Sequence, residues 1–170
     1  QHPELDRVNP SCVNTLRICT LRQGGDVKIY HVALRMGHGR TVTDNLSIGG
    51  LIAGVDPETG RVDATAKLQA GAAFTHHPTT GAEFASVIIP HFAESIDLAI
   101  SAHRRLGLLH SIGWDICVQE DGPTLIEGNH NWGEQIPQGT RYPAMRETYV
   151  NSIREFVAAA RASKAGTAGA

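Results

Sequence analysis

Cysteine is scarce in this chain. Only Cys12, Cys19 and Cys117 occur among 170 residues, scattered and odd in number. Without a C-x-x-C spacing they argue against a disulfide scaffold or a zinc ribbon, so a reducing cytoplasm is the expected setting. An excess of one charge sign is also lacking: 15 Lys+Arg against 17 Asp+Glu give a net charge of −2. Nothing in that balance points to nucleic acid or a membrane surface, although a local pair of arginines can bind phosphate at any net charge. No apolar run reaches membrane-spanning length and no signal peptide heads the chain. A G-x-S-x-G elbow and a Walker A loop are missing, so those hydrolase and NTPase classes lose support. The first residue is Gln1 rather than methionine, and the chain is read as a fragment.

The length suffices for one domain with a proper core. Two runs rich in β-branched and apolar residues, 11–21 and 26–36, read as strands joined by a hairpin loop. A glycine-rich stretch, 37–50, follows. Residues 51–56 and 61–69 read as a further pair of strands around the turn at 57–60. Residues 71–90 look irregular. The clearest helix lies in 91–109, where Phe92, Ile96, Ala99, Ile100, His103 and Leu106 recur at three- and four-residue steps. Residues 111–119 and 124–129 read as a second hairpin, and a second helix is expected over roughly 143–160. The predicted class is α+β, a largely antiparallel sheet with helices packed on one face, in one domain over 1–160 with a tail at 161–170.

The hairpin carries the chemistry. Trp114, Ile116 and Val118 alternate with Asp115, Cys117 and Gln119, and Ile126 alternates with Leu125 and Glu127. A connecting loop of odd length, such as Asp121-Gly122-Pro123, would set Asp115 across from Asn129 and near Glu127. An even loop would turn Asp115 onto the apolar face, where an unpaired carboxylate is costly. The pattern favours one face with Asp115, Glu127 and Asn129 and another with Trp114, Ile116, Val118 and Ile126. Two close carboxylates repel unless a cation lies between them, and hard oxygen donors suit Mg²⁺.

Arg17 and Arg35 each stand alone inside an apolar strand. If both face the acids, they can clamp phosphate oxygens. Asn45, within the turn-forming stretch 43–50, is a candidate phosphate donor. His76 and His77 lack companions at zinc-ligand spacing, and His103 and His110 read as packing or surface residues.

In order and spacing, "NTLRI", "ALRMGHG", "DNLSIGG", "IGWDI" and "LIEGNHNWG" resemble the C-terminal lobe of an ATP-grasp domain. More narrowly they resemble the sugar-transfer-associated ATP-grasp group of bacterial polysaccharide and cell-envelope contexts. The likeness runs from about residue 7 to about residue 140.

The resemblance implies ATP and Mg²⁺ as cofactors, with Mn²⁺ as a substitute, and activation of a carboxylate as an acyl phosphate that an amine or thiol attacks. It makes Asp115, Glu127 and Asn129 metal ligands, with Glu127 bridging two ions. Arg17 and Arg35 match groups on the terminal phosphate or acyl phosphate, and Asn45 matches a loop residue near the phosphates. The carboxylate would sit on a small molecule, sugar or peptide. His130, Asn131 and Trp132 replace the commoner ending in Pro-Gly, although Gly133 keeps the glycine. The resemblance also implies an N-terminal lobe with phosphate-binding lysines, which is not recognisable here, so this chain alone is expected to be inactive. The rival expectations are a degenerate lobe serving as a binding or scaffold module, and an ATP-grasp phosphotransferase.

Overall fold

A computed structural model describes residues 1–39, 49–68, 71–107, 109–133 and 145–167. Its centre is a seven-stranded antiparallel sheet in the order β5-β4-β3-β2-β1-β6-β7. The strands are β1 (Thr15–Gln23), β2 (Asp26–Met36), β3 (Leu51–Val55), β4 (Val62–Leu68), β5 (Ala73–Phe74), β6 (Ser111–Gln119) and β7 (Gly122–Asn129). Helices α1 (Pro3–Asp6), α2 (Phe92–Arg105) and α3 (Arg146–Thr167) complete the α+β fold. Within 71–90, read as irregular, lie the short β5 and a 3₁₀ turn at Phe84–Ser86.

Alternation along the central strands sorts the two faces. Leu16, Ile18, Val32, Leu34, Ile116 and Val118 point to one side and form the main core. Leu5 of α1 and Ala99 of α2 cap that core, and Phe84 is completely enclosed in it. Each such side chain taken out of water contributes about 1.5–3 kcal/mol. The buried stripe of α2 is centred on Ser95, Ala99 and His103. Leu106, expected on that stripe, falls beyond the last turn and is 47% exposed.

The opposite face of β1 carries Cys19 and Leu21, and α3 rests against it through Tyr149. The expected one-sided arrangement therefore holds for α1 and α2 but not for α3. The helix expected over 143–160 also continues to Thr167, into the stretch expected as a tail.

Candidate active site

Three adjacent strands, β2, β1 and β6, bring the predicted polar residues onto one face. Arg17 of β1 pairs across the sheet with Asp115 of β6 on one side and with Ala33 of β2 on the other. Arg35 lies two residues beyond Ala33, so it shares that face and sits diagonally from Arg17. Arg17 meets Asp115 in a two-pronged contact, Nε to Oδ1 and Nη2 to Oδ2, the latter at 2.9 Å. Arg35 Nη1 donates to the same Oδ2 at 2.8 Å. Asp115 is only 4% exposed and Arg17 6%, so the pair is shielded from solvent.

Glu127 reaches this face by a route that alternation alone does not predict. The hairpin turns on Glu120-Asp121, between the paired Gln119 and Gly122, an even loop. That register by itself would set Asp115 opposite Ile126. A β-bulge intervenes: Ile116 pairs with Leu125, but Asp115 pairs with Glu127. Ile126 is the extra residue and is 53% exposed, while Leu125 packs on the core. The expected places of Leu125 and Ile126 are thus exchanged. Asn129 pairs with Gly113 rather than with Asp115, and its amide nitrogen donates to Glu127 Oε1 at 2.9 Å. The three residues do share a face, with a partnering corrected by the bulge.

Two glycines make room for this arrangement. A Cβ at Gly128 would lie 2.6 Å from the Trp114 ring, and one at Gly113 would lie 2.3 Å from Trp132 Cβ. Trp132 is therefore seated directly on β6, 7% exposed, with its carbonyl oxygen accepting from Arg17 Nη1 at 3.0 Å. Its role was not foreseen, although a glycine inside a strand is itself a sign of close approach.

Burial is the largest influence on the Asp115 carboxyl and pushes its pKa up. The Arg17 hydrogen bonds and charge, then the charge of Arg35 and the contact with Glu127, outweigh it and hold the carboxyl below its ordinary range. Burial likewise pushes Arg17 down, but Asp115 more than compensates and the guanidinium is held above its ordinary value. Neighbouring Cys19 is pushed up to about 12, chiefly by burial, so it stays a thiol.

Among the described residues no three His, Cys, Asp or Glu side chains are grouped to hold a metal ion. The candidate set is instead two carboxylates and an amide, all hard oxygen donors, which fits Mg²⁺ by donor chemistry. Glu127 and Asn129 are its outward members, while both oxygens of Asp115 accept from arginines. Asn45 lies outside the described residues. His77 and His103 are buried in hydrogen-bonded settings: His77 Nε2 meets the Gly37 carbonyl at 2.8 Å and His103 Nδ1 meets Thr20 Oγ1 at 2.7 Å.

Residues 1–152 match the family described as sugar-transfer associated ATP-grasp. The chain belongs to that family. The match covers every strand of the sheet and the first residues of α3. ATP-grasp membership makes it an ATP-binding, ligase-like module in a sugar-transfer context. Comparison with curated proteins and with solved structures finds no match to this ATP-grasp chain. Among its described residues no helix is long and apolar enough to cross a membrane.

Proposed function

We propose that this ATP-grasp chain is the catalytic lobe of a ligase that activates a carboxylate as an acyl phosphate at the expense of ATP. The substrate acid belongs to a sugar, a peptide or a small molecule of polysaccharide or cell-envelope synthesis. One observation carries the reading: Arg17, Arg35, Asp115 and Glu127 converge on one sheet face, two cations against two acids. In the reaction a substrate carboxylate oxygen attacks the γ-phosphorus, the bond from that phosphorus to the bridging oxygen breaks, and ADP leaves. An amine or thiol then attacks the acyl carbon and phosphate departs.

The work of the chain is positioning and charge, since phosphoryl transfer needs little covalent help. Asp115 fixes the plane of the Arg17 guanidinium through two bonds and anchors Arg35 through one, so the two arginines meet the terminal phosphate and acyl phosphate with little reorganisation. Glu127 and Asn129, with Asp115 behind them, are the residues that would hold Mg²⁺. When bound there, the ion neutralises phosphate charge. Asn45 is assigned to the phosphates as well, and an N-terminal lobe supplies the remaining nucleotide contacts.

A second reading, a binding module without turnover, is favoured by the engagement of both Asp115 oxygens with arginines. Release of ADP and phosphate, measured with the full-length enzyme and candidate acids, separates the two. ADP formation that requires both an acid and a nucleophile supports the ligase. Stable phosphorylated product without a nucleophile indicates a phosphotransferase, and nucleotide binding without ADP formation indicates the module.

A further inference from the structure

Arg17 has three bonded nitrogens, and Asp115 accounts for only two of them. The third, Nη1, donates to the main-chain carbonyl of Trp132. A carbonyl can aim a guanidinium only if its own chain is fixed, and here that chain is a loop just past the end of β7. Three contacts fix it. The indole sits over Gly113, which has no side chain to lift it away. The indole Nε1 donates to Ser111 Oγ at 3.2 Å. That hydroxyl in turn lies 3.2 Å from the Tyr149 hydroxyl of α3. Tyr30, Trp132 and Tyr149 also close an aromatic triangle, with ring centroids 5.4–5.9 Å apart. The Tyr30 hydroxyl donates to the Met145 carbonyl at 3.1 Å and ties down the start of α3.

We infer that Trp132 is a positioning residue for Arg17, held in place by α3 through Tyr149 and Ser111. The inference rests on the reading of Arg17 as a phosphate-binding group. It gives α3, which lies on the site face of the sheet, a part in the chemistry without touching substrate. An aromatic staple of Tyr30, Trp132 and Tyr149 anchors the loop. Simple packing would explain the buried ring and its bonded N–H, but not the Trp132 carbonyl accepting from Arg17 Nη1.

Those two polar links are the parts to remove. In the ¹⁵N-labelled full chain, Ser111→Ala and Trp132→Phe are compared with wild type by solvent exchange of the Arg17 guanidinium protons. Tyr149→Phe, which deletes one oxygen and keeps the ring, serves if a larger change disturbs folding. Exchange of the Nη1 protons is expected to quicken by about tenfold or more in variants that still unfold cooperatively. Mg·ADP binding to the full-length enzyme is expected to weaken by about threefold to tenfold, the scale of one impaired charge-assisted hydrogen bond. Unchanged Arg17 exchange in folded Ser111→Ala and Tyr149→Phe overturns the inference. Faster exchange in an enzyme whose wild type binds no nucleotide upholds the positioning role and defeats the nucleotide reading alone.

Discussion

Arg17 and Asp115 face each other from neighbouring strands and join through two parallel hydrogen bonds in a place with almost no solvent. The side chains are short of alternatives, since Arg35 holds the remaining lone pair of the same Oδ2. The relationship serves the site more than the fold. A buried ion pair returns little net stability over an apolar pair of equal volume, but breaking it strands a charge.

Loss of the arginine should therefore be expensive. Arg17→Ala is expected to destabilise the chain by about 1–3 kcal/mol, since Asp115 loses two charge-assisted bonds but keeps the one from Arg35. Arg17→Lys should recover only part of this, because an ammonium cannot reproduce the two-pronged contact. Chemical denaturation of both variants gives the test. A loss below about 1 kcal/mol in Arg17→Ala, the scale of an exposed pair, would show that Asp115 is not dependent on it.

Glu127 is the opposite case, exposed and outside the core. Glu127→Ala is expected to leave stability within about 0.5 kcal/mol of wild type, as surface changes do. In the full-length enzyme the same change should abolish turnover, as the magnesium role proposed for Glu127 requires. Activity within a few-fold of wild type, with unchanged melting, would withdraw the magnesium role from Glu127.

Much of this geometry is written in period-two alternation. The run at 26–36 is β2 as read, and the hairpin strands fall within two residues of their expected ends. Grouping of Asp115, Glu127 and Asn129 was legible too, because an acid on the apolar face costs too much. How the grouping is achieved was not. A bulge is one unpaired residue, and Leu125 and Ile126 are equally apolar, so the sequence offers no way to choose which turns outward. The place of α3 was hidden for another reason. Its anchors are tyrosine hydroxyls and a serine, whose partners are distant in the chain and leave no periodic trace. His103, by contrast, falls on the buried stripe of its helix as its spacing suggests, whereas the buried His77 has no periodic pattern around it.

Gly128 tests the packing behind the bulge. In Gly128→Ala the new methyl would meet the Trp114 ring at 2.6 Å, and that ring is held by its indole donating to Thr20 Oγ1 at 2.9 Å. The expected cost is about 1–3 kcal/mol from overpacking. Loss of stability should accompany a change in the near-ultraviolet signal of Trp114. A variant as stable as wild type, with that signal intact, would mean that the hairpin shifts freely and that its register is not fixed there.

Acid sensitivity comes from the histidines before any carboxylate titrates. His103 is enclosed, with Nδ1 2.7 Å from Thr20 Oγ1 and Nε2 3.1 Å from the Leu109 carbonyl. Burial lowers its pKa below 6.5, and lowers those of His77 and His110 in the same way. The unfolded chain then takes up protons first as pH falls, so stability is present above the unfolded value and lost below it. His91 works in the other direction. Its pKa is raised, first by the hydrogen bond with Glu94, so its contribution is present below the unfolded value and lost as pH rises through the folded one. Denaturant titrations at about pH 7.5 and about pH 5.5, a window above the carboxylate range, should show lower stability at the acid end. His103→Gln should shrink that loss, and His91→Gln should enlarge it. Equal stability at both pH values in wild type and in both variants would mean that these rings keep their ordinary pKa values and that burial does not favour the neutral form of His103.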